Sequence, residues 1–202
     1  DGIGFGIGKR LAEEGVYVYL IARTKEKLEI AQKRINSDGY RAEIRCADIT
    51  NLDSIKTVIN DVYAKNNRLD IFVNNAGSYI PFTIDSPVEK IRAMIELDML
   101  APLMITHYLL QNFSKVIDNK LKILTVSSQA ALKVFDGGGA YGTAKKGLTS
   151  GLFEFENQLR VEGIKNIMLY RLYPGTVATL GVLDLVRKGI LQNPTSLESV
   201  VD

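Results

Sequence analysis

The chain has one cysteine, one histidine and almost no surplus of either charge, and each shortage removes a class of protein. Cys46, being single, cannot form an internal disulfide and suits a reducing compartment; as a small apolar residue it is expected in the core. Lys and Arg number 25 against 23 Asp and Glu, a net charge of +2 spread along the sequence, so no nucleic-acid footprint is expected. His107 lies in an apolar helical stretch, where a packed or hydrogen-bonded imidazole is the ordinary outcome. No grouping of His, Cys and carboxylates has metal-ligand spacing, and no metal is expected. Long hydrophobic runs are missing too. The longest uncharged stretch, residues 99–114, contains Pro102, His107, Gln111 and Asn112, which makes it too short and too polar for a bilayer. It reads as a buried helix, and no membrane partner is expected. The first residues do not resemble a secretory signal, so the expected location is cytoplasmic.

What is present is a 46% hydrophobic chain of 202 residues, enough for one globular domain spanning 1–202. Strand-like and helix-like segments alternate. Residues 16–22 form a β-rich run, 24–37 a charged helix closed by Asp38-Gly39, and 40–47 a strand ending at Asp48. Residues 51–65 place Leu52, Ile55, Val58, Ile59 and Val62 at helical spacing, and the apolar strand 69–73 runs into Asn74-Asn75-Ala76-Gly77. A helical region interrupted at Pro102 leads to strand 121–126. The glycines at 137–139 precede a helix reaching Arg160, and strand 167–173 ends at Pro174-Gly175. This alternation predicts right-handed βαβ units: an α/β fold with a doubly wound, Rossmann-like parallel sheet in three layers, α/β/α. Ligands of such sheets bind at the carboxyl ends of the strands. Ala22-Arg23, Asp48, residues 75–77, Ser127-Ser128 and Pro174-Gly175 are all expected there, around one crevice.

Three residues carry the chemistry. Tyr141 and Lys145 stand four apart and share a helix face from which Lys146 is rotated away, and Ser128 follows strand 121–126. Tyrosine alone, with a pKa near 10, is a poor acid–base catalyst at neutral pH. An ammonium about 4 Å away would favour the phenolate by on the order of 4 kcal/mol, lowering that pKa by up to about three pH units. The sequence opens with Gly2, Gly4, Gly6 and Gly8 ahead of a helix, as in loops whose backbone N–H groups approach a pyrophosphate. No Asp or Glu lies between Gly15 and Lys25, where an acid would meet the ribose hydroxyls of NAD. Arg23 stands there instead, with donors suited to a 2′-phosphate, which favours NADP(H) over NAD(H); a solvated strand-end arginine is the plain alternative. Leu103, Met104, Phe153 and Phe155 read as core or subunit contacts rather than a cofactor pocket.

With Asn74-Asn75-Ala76-Gly77, Tyr141 to Lys145 as Y-x-x-x-K, and Pro174 to Thr179 as P-G-x-x-x-T, the chain resembles the single-domain branch of the short-chain dehydrogenase/reductase family. The family's T-G-x-x-x-G-x-G can be laid on Gly2, Gly6 and Gly8. It can also end at Gly2-Ile3-Gly4, which leaves a normal three-turn helix before Gly15 and is the preferred register. In that register the first strand lies upstream of Asp1, so two neighbouring strands are expected to lose a partner; the family's last strand is not evident after Val201 either. The resemblance implies an NADP(H)-dependent carbonyl reductase or alcohol dehydrogenase of the 3-oxoacyl or another ketone type, acting as a homodimer or homotetramer. It implies that Tyr141 exchanges the proton, Ser128 bonds the substrate oxygen, and Lys145 tunes Tyr141 and holds the nicotinamide ribose. Gly2, Ile3, Gly4, Arg23, Thr24, Asp48, Ile49, Asn75, Ala76, Gly77, Pro174, Gly175, Val177 and Thr179 are implied cofactor contacts, with Asp48 at the adenine or as a cap of the helix beginning near Asn51. The substrate pocket would be shaped by Tyr173 and residues 180–193, among others. Asp98 occupies the place of the family's fourth catalytic residue, an asparagine supporting a proton relay. Its added charge opens a second reading: a catalytically weak NADP(H)-binding sensor or scaffold of the same fold.

Overall fold

A computed structural model describes residues 2–116, 118–188 and 194. The chain divides into two compact units: the described residues of Asp1–Asp48 with Pro174–Asp202, and Ile49–Tyr173.

The first unit begins with helix α1 (Ile3–Glu13), followed by strand β1 (Val18–Ala22), helix α2 (Lys25–Ser37) and strand β2 (Ala42–Cys46). The eleven-residue α1 ends just ahead of Gly15, the length the second glycine register requires. β1 and β2 pair in parallel, Val18 opposite Ala42 through Ala22 opposite Cys46. Ala12, Val18, Ile35 and Ala42 form a small buried core, with Phe5, Leu11, Val16, Leu20 and Tyr40 packed around it. Helix α7 (Leu180–Arg187) completes this unit, capped by Thr179, whose Oγ1 accepts from the Val182 N–H.

In the second unit, α3 (Leu52–Asn66) precedes β3 (Ile71–Asn74). Helices α4 (Val88–Ile95) and α5 (Ala101–Phe113) then lead to β4 (Leu121–Val126), and α6 (Gly139–Val161) leads to β5 (Ile167–Leu172). The strand order is β3-β4-β5, all parallel, with Asn74 opposite Thr125 and Val126 opposite Leu172. The carboxyl ends of the three strands therefore share one edge. The spacing read for α3 is realised: Ile55, Val58, Ile59 and Val62 are buried. Ile105, Leu109, Phe113, Leu121, Ile123, Leu148 and Leu152 are likewise buried in this unit. Burying such side chains contributes roughly 1.5–3 kcal/mol each.

β1 and β2 form a two-stranded sheet, and β3, β4 and β5 a three-stranded one. Any strand after Val201 lies outside the described residues, as do residues 189–193 of the expected substrate segment.

Pro102 does not interrupt the helix. It occupies the first turn of α5, and the irregularity lies just before it, where Glu96–Leu100 winds as a π-helix and the Ala101 N–H reaches back to the Glu96 carbonyl. A proline ring crowds the carbonyl four residues back, here that of Asp98, and supplies no N–H. Widening the turn accommodates both effects without a break, and such π segments recur at functional sites. The helical run Val88–Phe113 is consequently 26 residues long, with a stretch of mean hydropathy 1.3. By length and composition it could cross a membrane, contrary to the reading of residues 99–114 alone. Its contacts are those of a core helix, with Asp98, Ala101, Pro102, Ile105, Thr106 and Leu109 buried in the unit.

Candidate active site

Ser128, Tyr141, Lys145 and Asp98 come together in the second unit. The chain leaves β4 at Val126, and Ser128 adopts an extended conformation from which its Oγ caps a short 3₁₀ turn by accepting from the Ala130 N–H at 3.1 Å. Ser128 also favours the Tyr141 phenolate, lowering its pKa. Tyr141 lies in the first turn of α6 and Lys145 one turn on, its Nζ 5.6 Å from the tyrosine ring centre, while Lys146 is exposed on another face. The four-residue spacing thus acts as expected.

Asp98 is the residue whose setting the sequence did not foretell. The π segment turns it inward, where it is completely buried and its Oδ1 stands 3.1 Å from Lys145 Nζ. The Ser78 N–H donates to both carboxylate oxygens at 3.3 Å. Lys145 Nζ also reaches the Val126 carbonyl at 3.5 Å. Gly77 makes this possible: a Cβ there would stand 2.5 Å from Asp98 Oδ1 and 3.3 Å from Lys145 Nζ. The glycine of the Asn-Asn-Ala-Gly turn is thus required here by close approach rather than by an unusual φ. Burial pushes the Asp98 carboxyl above its ordinary range; Lys145 and the Ser78 N–H pull the other way.

The expected drop in the Tyr141 pKa is reversed. It is pushed up to about 12, first by burial, with the Asp98 charge and Tyr79 adding to the effect and the Ser128 hydrogen bond opposing it. The spacing argument counted the lysine's charge but not the carboxylate beside it. With Asp98 in contact with Lys145, the phenolate meets a nearly neutral pair.

Tyr79, from the segment after β3, packs edge-on against Tyr141 with ring centres 5.4 Å apart and lies 6.0 Å from Phe135. The Gly137 carbonyl accepts from both the Phe82 N–H at 3.1 Å and the Tyr79 hydroxyl at 3.4 Å, which ties two loops together beside Tyr141.

Asn75, Ala76 and Gly77 follow β3, with Ala76 and Gly77 exposed. Asn74 takes a different role. Buried at the strand end, its Nδ2 donates to Thr106 Oγ1 at 3.0 Å and Thr125 Oγ1 at 3.3 Å, joining β3 to α5 and β4. Ser127 is also structural, its Oγ 2.9 Å from Thr149 Oγ1 on α6. Nothing in the spacing marked Thr106, Thr125, Thr149 or Tyr79, because each depends on a partner distant in sequence.

The first unit holds the remaining expected cofactor residues. Gly2 caps α1 at φ 85°, a conformation that favours glycine, and no side chain caps the helix, so its first-turn N–H groups are left to other acceptors. Ile3 and Gly4 form that first turn. Thr179 Cγ2 would lie 3.9 Å from a Cβ at Gly2, which brings the Pro174–Thr179 motif beside the glycine turn; within the motif Val177 is buried and Gly175 exposed. Arg23 follows β1 with an exposed side chain 3.8 Å from Asp48 Oδ2, and Thr24 caps α2 by position without a side-chain bond. Asp48 does not cap α3. Asn51 does, its Oδ1 accepting from the Ser54 N–H at 3.1 Å, because it is the residue directly before the helix. Ile49 opens the second unit.

Cys46 is exposed rather than in the core: it ends β2, and its thiol donates to the Arg23 carbonyl at 3.1 Å. Ala42 is buried at the start of β2, whereas Cys46, on the same face, stands at the carboxyl end of the strand, where the core no longer covers it. His107 is exposed and stacks on Phe155 at 5.9 Å. With Leu103 and Met104 these two residues line an outer groove of the second unit, neither core nor cofactor pocket. Among the described residues, no group of three or more His, Cys, Asp or Glu could hold a metal.

Three comparisons bear on this arrangement. The fatty acyl-CoA reductase of Acinetobacter baylyi is 38% identical over 80 residues, which is 40% of this chain and 27% of that protein. Human retinol dehydrogenase 11 is 28% identical over 191 residues, 87% of this chain and 58% of its own length. The chain thus spans well under two thirds of these relatives. A structure of an actinorhodin polyketide ketoreductase variant with NADPH superposes with a TM-score of 0.86 at 20% identity, covering 99% of this chain and 83% of the other. That likeness bears on fold alone and agrees with the Rossmann-like α/β class expected. The family model for short chain dehydrogenases matches residues 1–187, and the chain belongs to that family.

Proposed function

We propose that the protein is an oxidoreductase moving a hydride between NADP(H) and a carbonyl or alcohol, in the manner of a ketone reductase. The observation that carries this reading is the meeting of Ser128, Tyr141 and Lys145 in one unit, with Lys145 Nζ 5.6 Å from the Tyr141 ring centre and Ser128 acting on the Tyr141 hydroxyl. NADP(H), when bound, supplies or accepts the hydride. Ser128 orients the substrate oxygen by a hydrogen bond, and Tyr141 gives that oxygen a proton or takes one from it. Lys145 would hold the nicotinamide ribose. The donor sets fit a phosphorylated dinucleotide. Gly2, Ile3 and Gly4 offer uncapped N–H groups to a pyrophosphate, and Arg23 offers a planar, exposed cation to a 2′-phosphate. Thr24, Asp48 and Ile49 suit the adenosine end. Asn75, Ala76, Gly77, Pro174, Gly175, Val177 and Thr179 complete the proposed contacts, within a single 1–202 domain.

The exposed Phe153 on α6 and Leu100 beside α5 support association as a homodimer or homotetramer. The lone, unbridged Cys46 suits a reducing cytoplasm. Tyr141→Phe should abolish NADPH oxidation across a panel of carbonyls while leaving NADPH binding nearly intact; full turnover in that variant would sink the reading. Asp98, in the place of the family's asparagine, favours the second reading of a weakly catalytic NADP(H)-binding sensor. Binding of NADPH by the wild type with no turnover over a broad panel would select it.

A further inference from the structure

The Asp98–Lys145 pair has a consequence for the charge that reaches Tyr141. We propose that Asp98 is a positioning residue that holds Lys145 in a buried ion pair and withholds its charge from Tyr141, so that Tyr141 meets its substrate as the protonated phenol. This rests on the oxidoreductase reading above.

The geometry is closed on every side that can be named. Asp98 Oδ1 lies 3.1 Å from Lys145 Nζ, and the two side chains are 0% and 4% exposed. Water therefore neither screens the pair nor competes for it. The carboxylate takes the Ser78 N–H as well, and Gly77 leaves just the space it needs. Among the described residues, the groups acting on Tyr141 are Lys145 on its own helix, Ser128 after β4, Tyr79 after β3, and Asp98 in the π segment. Only Lys145 brings positive charge, and Asp98 offsets it. Burial first, with the Asp98 charge adding to it, pushes the Tyr141 pKa up to about 12.

In reduction the substrate carbon gains a hydride from dihydronicotinamide and the carbon–oxygen π bond opens. The Tyr141 O–H bond breaks as its proton passes to that oxygen, and water then reprotonates the phenolate. A tyrosine of high pKa begins this step fully loaded at neutral pH. Oxidation begins from the phenolate, which at neutral pH is a minute fraction of the protein.

Two readouts test the proposal. The first is the tyrosinate absorbance of Tyr141, taken as the difference between the wild type and Tyr141→Phe. In the wild type it should stay silent up to about pH 10, and alcohol oxidation should climb through that range without levelling. Asp98→Asn keeps the shape and an acceptor but removes the charge. It should lower both the absorbance midpoint and the pH at which the oxidation limb rises by about one pH unit. A wild-type midpoint below about pH 9, or an unmoved midpoint in Asp98→Asn, overturns the proposal. If Asp98→Asn does not fold, the same titration of Asp98→Ser, which also removes the charge, decides in its place. Retained turnover in Tyr141→Phe is a separate failure, that of the oxidoreductase reading itself.

Discussion

Each unit of the molecule contains an aspartate–cation pair, and the two sit in opposite surroundings. Arg23 and Asp48 stand 3.8 Å apart with side chains 71% and 40% exposed, so water competes for both and the pair can open for a ligand at little cost. Lys145 and Asp98 stand 3.1 Å apart at 4% and 0% exposure. Neither charge can leave its partner without being stranded in an apolar interior. Two similar pairs of residue types thus behave differently, one open to solvent and one locked inside the fold. Burial, not residue identity, separates them.

Breaking the buried pair should have the largest effect. Asp98→Ala strands Lys145 and should cost about 3–5 kcal/mol in denaturant unfolding, whereas the exposed pair has no comparable variant. The next effect appears with pH. A tyrosine whose folded pKa is raised from 10.0 to about 12 contributes stability that is present below its unfolded pKa and is lost as pH rises through that window. Stability should therefore fall by about 2–3 kcal/mol across it, and Tyr141→Phe should remove that part of the loss when the two denaturation profiles are subtracted. Gly77→Ala pushes a methyl against Asp98 Oδ1 without removing a charge, and should cost about 1–3 kcal/mol in the same assay. Least affected is stability on breaking the exposed pair: Arg23→Ala should change it by less than about 1 kcal/mol. The same substitution should weaken NADPH binding about ten-fold while leaving NADH nearly unaffected, measured by fluorescence titration. An equal loss for both cofactors would remove Arg23 from 2′-phosphate recognition.

Much of the fold was legible because it rests on local periodicity. Residues 121–126 were read as a strand and form one, and the apolar spacing of Leu52 to Val62 became the buried face of α3. Alternating strands and helices led to parallel pairing, and the pairing is parallel throughout. The reading failed where geometry depended on something distant or subtle. Pro102 was taken for a break, yet a π turn absorbs it; Asp48 was a candidate cap, yet Asn51 does that work; Cys46 was assigned to the core on residue type, yet its place at the end of β2 exposes it.

The active-site set divides the same way. Tyr141 and Lys145 share a helix face because 3.6 residues make a turn, so their juxtaposition and the proton-transfer chemistry it suggests could be read directly from the sequence. The family followed from motifs that are likewise short and local. What tertiary structure alone decided is the electrostatic state of that chemistry. Asp98 lies over forty residues from Lys145 in sequence, and only the packing of the π segment against α6 brings them to 3.1 Å with water excluded. Charge is a property of residues, but its strength depends on what surrounds them, and the surroundings are assembled from the whole fold.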